Sequence, residues 1–321
     1  MNRIVFDGCA TPIQTLAMPE TENFIDIKRD DLLPFSFGGN KVRIAREFAD
    51  DMCAKGKTCL IGYGNPRSNL SRALANLCAA EGIPCRLLAP SEEHGGFIET
   101  ANSRLVAALG TEVHRCEKYE VAPAVDAVMA LCEQAGEKPY YIYGDRYGKG
   151  NEATPVRAYA KAYREIPQNT YDYIFLATGT GMTQSGLIAG SIECGGSEKI
   201  VGISVARSKQ KAEAVIAASV EAYFAEQGRE FTEKDRIRVC DDWLCGEYGL
   251  YDDAVCRTID DMFRRFGLPL DPSYTGKAFR GMLAYLKENN IKNKKVLFLH
   301  TGGTPLFFDY LANSSEKEET L

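Results

Sequence analysis

From residue 41 onward, short apolar runs alternate with stretches of helical period, and few folds accept that pattern. Ala45, Phe48, Ala49, Met52 and Cys53 mark one helical face, followed by the run Thr58-Cys59-Leu60-Ile61-Gly62-Tyr63. Leu70, Leu74, Leu77 and Cys78 mark a second helix, which Gly82 ends ahead of Pro84. Cys85-Arg86-Leu87-Leu88-Ala89 comes next. A helix near 97–109 leads to Glu112-Val113-His114, one near 121–135 to Tyr140-Tyr141-Ile142-Tyr143, and one near 153–165 to Tyr173-Ile174-Phe175-Leu176-Ala177. Further apolar runs lie at 199–205 and 295–299. Such alternation predicts parallel sheets covered by helices on both faces, with ligands at the carboxyl ends of the strands. The length of 321 residues allows two domains, and the polar, glycine-bearing segment 144–154 predicts a soft boundary.

Charge and cysteine usage narrow the function classes. Thirty-eight Lys and Arg against 44 Asp and Glu give a net charge of −6, which argues against a nucleic-acid backbone binder. No apolar run approaches the ~20 residues of a membrane helix, so no membrane partner is expected. Asp7 interrupts the amino-terminal stretch too early for a secretory leader. Eleven cysteines form no Cys-x-x-Cys pair, and the histidines are three: His94, His114 and His300. That predicts no metal site, no disulfide framework, and reduced thiols in a cytoplasmic protein.

The segment Ile174-Phe175-Leu176-Ala177-Thr178-Gly179-Thr180-Gly181-Met182-Thr183-Gln184-Ser185-Gly186-Leu187 reads as a strand, a glycine turn and a helix start. Bare amide groups at a positive helix end make an anion site, and three threonines add hydroxyl donors. A dinucleotide fingerprint fits imperfectly, because Gln184 stands where a third glycine belongs. The next strand ends Val205-Ala206-Arg207, with no acid for a ribose. No Gly-Lys-Ser/Thr ending makes a P-loop. A plain tight turn explains the same residues, and the loop leaves its ligand open.

Upstream, Phe37-Gly38-Gly39-Asn40-Lys41-Val42-Arg43 puts two glycines before a lysine in the first turn of a helix. The positive helix end lowers a lysine pKa there, as a Schiff-base lysine needs. Spacing alone favours a solvated helix-start cation. Further motifs follow in order: Arg67-Ser68-Asn69, the Ala-Thr-Gly-Thr-Gly turn, Leu270-Asp271-Pro272-Ser273-Tyr274-Thr275-Gly276-Lys277, and His300-Thr301-Gly302-Gly303-Thr304-Pro305.

Together these motifs resemble the D-cysteine desulfhydrase and 1-aminocyclopropane-1-carboxylate (ACC) deaminase family, from about Thr11 to Tyr310. The resemblance implies a two-lobed tryptophan synthase β-like α/β fold (fold type II). Residues 1–43 with 154–321 would form the larger, cofactor-binding domain and 44–153 the smaller one. It implies pyridoxal phosphate as cofactor and a homodimer. Lys41 would carry the cofactor, and Thr178, Gly179, Thr180, Gly181 and Thr183 would hold its phosphate. Asn69 would bind the ring oxygen, and the Ser68-Asn69-Leu70 backbone the substrate carboxylate. Ser68 would be a catalytic hydroxyl, a role compatible with helix capping. Tyr274 and Tyr248 match two active-site tyrosines, and Thr275 would face the pyridine nitrogen.

The family's ACC deaminases place glutamate where this chain has Thr275 and leucine where it has Thr301. Both departures point to D-cysteine desulfhydrase-type elimination, which gives pyruvate, sulfide and ammonia. Arg67 replaces a neutral residue of the family, and 143–152 departs from a small, glycine- and serine-rich segment. Arg67 either pairs with a second acidic group on the substrate or is a surface arginine. ACC deamination, or β-replacement on another amino acid with an acidic one among the candidates, therefore stays open. A nicotinamide-dependent oxidoreductase would leave Lys41 without a role.

Overall fold

The computed structural model describes residues 9–92 and 96–318. The amino-terminal stretch read above for a leader lies outside them. The chain divides into two compact units. One comprises Pro34–Ser36 and Lys41–Pro155; the other comprises Cys9–Leu33, Phe37–Asn40 and Val156 onward.

In chain order, β1 (Ile13–Leu16) and β2 (Phe24–Arg29) precede α1 (Asn40–Ala54). The first unit continues with β3 (Cys59–Tyr63), α2 (Asn69–Glu81), β4 (Cys85–Pro90), α3 (Ala101–Ala108), β5 (Glu112–Cys116), α4 (Val121–Gln134) and β6 (Pro139–Tyr141). The second continues with α5 (Thr154–Ala162), β7 (Tyr173–Thr178), α6 (Met182–Cys194), β8 (Lys199–Ser204), α7 (Lys209–Ala225) and β9 (Arg238–Cys240). It ends with α8 (Asp253–Phe266), α9 (Thr275–Glu288), β10 (Lys295–His300) and α10 (Thr304–Glu318).

Among the described residues the first unit carries a four-stranded parallel sheet in the order β5-β4-β3-β6. The second carries six strands in the order β1-β2-β10-β7-β8-β9, parallel except for β1. Central strands are buried throughout, as β7 shows from Tyr173 to Thr178, because helices cover both faces. Non-sequential neighbours such as β10 beside β7 create the switch points at which loops open.

Local chemistry sets the helix ends. Ser68 caps α2, its Oγ accepting from the Ser71 amide at 3.1 Å, and Gly82 closes it in the left-handed conformation. Asp252 and Gly267 frame α8, which buries Val255, Ile259 and Met262 on one stripe. The predicted helix near 97–109 starts only at Ala101, because Thr100 forms a reciprocal cap with Ser103. The run 140–143 leaves the sheet after Tyr141, whose carbonyl accepts the Gly144 amide to close a turn. At Gly144, with φ of +93°, a Cβ would meet the Lys149 carbonyl oxygen at 2.0 Å.

The second unit is pinned by a buried charge. Lys28, on the face of β2 opposite Ile25 and Ile27, is fully buried, and its ammonium donates to Thr11 Oγ1 at 2.7 Å and Glu165 Oε2 at 2.7 Å. Asp30, 3.9 Å away and also buried, accepts from Thr11 Oγ1 and from the Tyr159 hydroxyl. Removing one partner of such a set strands the other charge. Lys28→Met should therefore destabilise the protein by about 3–5 kcal/mol in denaturant unfolding. A loss below about 1 kcal/mol would mean that the acids are solvated instead.

Candidate active site

The lysine motif is built on backbone conformations that few residues adopt. Ser36, Phe37, Gly38 and Gly39 all have positive φ. At Gly38 a Cβ would lie 2.0 Å from the Asp31 carbonyl oxygen, and at Gly39 one would lie 2.9 Å from that of Thr301. These contacts explain the glycine pair. The Gly39 amide donates to the Asp30 carbonyl at 2.7 Å, and the Asn40 amide to the Thr301 carbonyl at 3.0 Å. Lys41 thus leaves a turn clamped on both sides. Burial pushes its ammonium down from 10.5 to about 8. The cause is desolvation by burial.

The glycine turn after β7 forms as expected. Gly181, with φ of +84°, stands at the N-cap of α6, and the amides of Met182, Thr183 and Gln184 have no acceptor within the helix. The three threonines are not equivalent. Thr178 donates its hydroxyl proton to Gln184 Oε1 at 2.7 Å, so that proton is committed inside the protein. Thr183 Oγ1 instead accepts from the Asn40 side-chain amide at 2.8 Å and keeps its proton to give. Gln184, which spoiled the dinucleotide pattern, is a buried strut whose amide donates to the Arg238 carbonyl at 2.8 Å. Gly202 leaves the room for it, since a Cβ there would lie 2.0 Å from Gln184 Oε1.

In the first unit, Ser68, Asn69 and Leu70 open α2. Asn69 Oδ1 accepts from Asn102 Nδ2 at 2.9 Å, which leaves the Asn69 amino group to donate outward. Asn102 also donates to the Arg67 carbonyl at 3.0 Å, and the Arg67 amide to Asn65 Oδ1 at 3.2 Å. The Arg67 guanidinium, partly buried, has Glu92 Oε1 at 3.8 Å from its Nε.

The late motif brings Tyr248 and Tyr274 together. Their hydroxyls are hydrogen-bonded, and their rings meet edge to face with centroids 5.8 Å apart. Lys277, fully buried, donates to the carbonyls of Leu244 at 2.8 Å and Glu247 at 3.1 Å, fastening the loop that carries Tyr248. Asp271 holds the other tyrosine. Its carboxylate accepts the amides of Ser273, Tyr274 and Thr275 at 2.9, 2.8 and 3.1 Å. Burial nevertheless pushes its pKa up to about 6. Thr275 Oγ1 donates to Asp271 Oδ2 at 2.8 Å and accepts from the Asp271 amide at 2.8 Å. Its proton is spent, and only one lone pair remains.

The sequence profile of pyridoxal-phosphate dependent enzymes matches residues 7–302. The chain belongs to the pyridoxal-phosphate dependent enzymes. The solved structure of an ACC deaminase homologue is similar to it over 97% of this chain and 94% of that one, with 27% identity and a TM-score of 0.84. A hydrogen sulfide-producing enzyme from Fusobacterium nucleatum matches over 92% and 95%, with 20% identity and a TM-score of 0.65. The processed threonine deaminase isoform 2 of Solanum lycopersicum matches over 96% and 82%, with 16% identity and a TM-score of 0.62. These neighbours share the α/β fold type II of pyridoxal-phosphate enzymes.

The residues present fit pyridoxal phosphate. The start of α6 offers amides and the Thr183 proton to a phosphate, and a Cβ at Gly179 would find nothing nearer than Val205 at 3.6 Å. Asn69 keeps an amino group for a ring oxygen, and the Lys41 pKa, pushed down to about 8, gives a larger neutral fraction than an ordinary lysine has. The supporting roles of Asp271, Lys277, Asn102, Gln184 and Gly202 escaped the sequence reading, because each acts on another side chain or backbone. One trio has the composition of a metal site: Cys59, Cys132 and Glu137. The Arg86 guanidinium fills it, donating to both sulfurs at 3.2 Å and to Glu137.

An amine adds to an aldehyde only in its neutral form, and Lys41 is the lysine that the motif reading assigns to the cofactor. Capture of pyridoxal phosphate by the apoprotein, followed by the rise of its visible band, should therefore accelerate with pH and level off above about 8. A rate still climbing toward pH 10.5 would show an ordinary, solvated lysine.

Proposed function

We propose that this enzyme is a D-cysteine desulfhydrase-type lyase, which converts D-cysteine and water to pyruvate, hydrogen sulfide and ammonia. The observation that carries the reading is the hydrogen-bonding of Thr275. Its proton belongs to Asp271, so it can only accept weakly from a protonated ring nitrogen. A glutamate at that place would hold such a proton far better. Elimination of a thiolate, a good leaving group, needs less help from the ring than opening a cyclopropane does.

Bound pyridoxal phosphate supplies an aldehyde for the substrate amine and an electron-withdrawing ring for the Cα. The protein supplies the rest. The amides of Met182 and Thr183 and the Thr183 hydroxyl hold the phosphate. The amino-terminal turn of α2 receives the substrate carboxylate with the free amides of Asn69 and Leu70, while the Ser68 amide donates to the Asn65 carbonyl at 2.9 Å. Lys41 would hold the cofactor, and its neutral amine would take the Cα proton, with the Ser68 hydroxyl assisting. The hydroxyls of Tyr248 and Tyr274 are joined to one another and anchored by Lys277 and Asp271, a rigid pair that would serve the reacting group. A homodimer in the cytoplasm belongs to the same reading.

A second reading follows from Arg67. Among the described residues only the 3.8 Å ion pair with Glu92 compensates its charge, and Arg67 directly precedes Ser68, so a substrate with a second carboxylate would suit it. The assay separates the possibilities. Purified holoenzyme should release sulfide and pyruvate from D-cysteine, leave ACC unconverted to 2-oxobutanoate, and lose turnover at least about 10⁴-fold in Lys41→Ala. Release of 2-oxobutanoate from ACC without sulfide from D-cysteine would overturn the proposal. Activity only on amino acids with a second carboxylate, lost in Arg67→Gln, would favour the second reading.

A further inference from the structure

The first unit contains a cavity of about 670 Å³ that does not include Lys41. It lies among α2, α3, β4 and β5, and Gly64, Asn65, Pro66 and Ser68 line it on the side of the turn that opens α2. Its size is that of small-molecule pockets, which run to roughly 300–1,000 Å³. Leu87 and Val106, both buried, and Val113 form apolar walls, with Phe97 at one side.

Two polar atoms on this wall have unmet hydrogen-bonding capacity. Ser71 Oγ and Asn102 Oδ1 are buried, on residues 5% and 1% exposed, and have no hydrogen-bond partner among the described residues. A buried polar atom left unsatisfied costs about 1–3 kcal/mol. The Asn102 oxygen only accepts, so whatever fills the cavity must bring a donor. The exposed Arg115 side chain lines the same cavity, its guanidinium 5.0 Å from the centre of the Phe97 ring. It forms no ion pair among the described residues, whereas the neighbouring Arg104 is matched by Glu99 at 3.1 Å. The uncompensated charge is positive.

We propose that this cavity binds a small amphipathic carboxylate, with an apolar body against Leu87, Val106 and Val113. A hydroxyl or N–H group of the ligand meets Ser71 and Asn102, and its anionic group meets Arg115. The site is coupled to the Ser68 turn through bonds already described. Asn102 holds Asn69 and the Arg67 carbonyl, and the Ser71 amide is capped by Ser68 Oγ. An occupant would thus bear on the residues that open α2. The proposal does not depend on which amino acid the enzyme converts.

The test uses holoenzyme and two probes, 4-hydroxyphenylacetate and indole-3-acetate, followed by saturation-transfer NMR and calorimetry. Each has a donor, an apolar body and a carboxylate. Neither has an amine, so neither can take the substrate's place on the cofactor. At least one should bind saturably and without competition from D-cysteine. Ala107→Trp, at an exposed position on the cavity wall, should abolish that binding, and Arg115→Glu should weaken it about tenfold or more. Three results would overturn the proposal: no saturable binding by either probe (a cavity holding water only), binding unchanged in Ala107→Trp, or displacement by D-cysteine.

Discussion

The geometry of this enzyme's lysine depends on Asn40. Its backbone amide is held by the Thr301 carbonyl and its side-chain amide by Thr183 Oγ1, so one residue ties the turn before Lys41 to the end of β10 and to the start of α6. The approach is possible only because Gly38, Gly39 and Gly302 lack a Cβ; at Gly302 one would lie 2.6 Å from the Gly39 Cα. A side chain at any of these positions would push the loops apart and break the clamp on the turn that leads into Lys41. Close backbone packing, rather than a charge, sets the reactive group.

A second theme is that hydrogen-bond commitments sort chemically identical side chains. Thr178 and Thr183 carry the same hydroxyl six residues or less from the glycine turn, yet one spends its proton on Gln184 and the other keeps it. Thr275 has spent its proton on Asp271, which limits it to accepting. Asn69 has its carbonyl oxygen occupied by Asn102, which presents the amino group instead. Because a buried polar group must find a partner, the partner already inside the protein decides what remains for a ligand.

Much of the α/β architecture was legible. The runs that became β3, β4, β7, β8 and β10 are continuous apolar segments, as strands buried on both faces must be. The glycine turn and the serine cap of α2 carry their own local signals. The strands β1 and β2 were not legible, because Asp26 and Lys28 break the apolar pattern of Phe24-Ile25-Asp26-Ile27-Lys28-Arg29. Lys28 is buried only because Thr11 and Glu165, 17 and 137 residues away in sequence, converge on it. No local window contains that information.

The sequence by itself determined the alternation of strands and helices, the anion-binding turn, the lysine in its glycine setting and the family those motifs belong to, since each is written in neighbouring residues. Only the tertiary structure decided why Lys41 titrates near 8, which threonine protons are free, and which residues stand behind the site. Desolvation and hydrogen-bond saturation depend on what surrounds an atom from all sides. Those surroundings are assembled from segments such as 30–40, 178–184, 271–275 and 300–303, which meet only when the chain has folded.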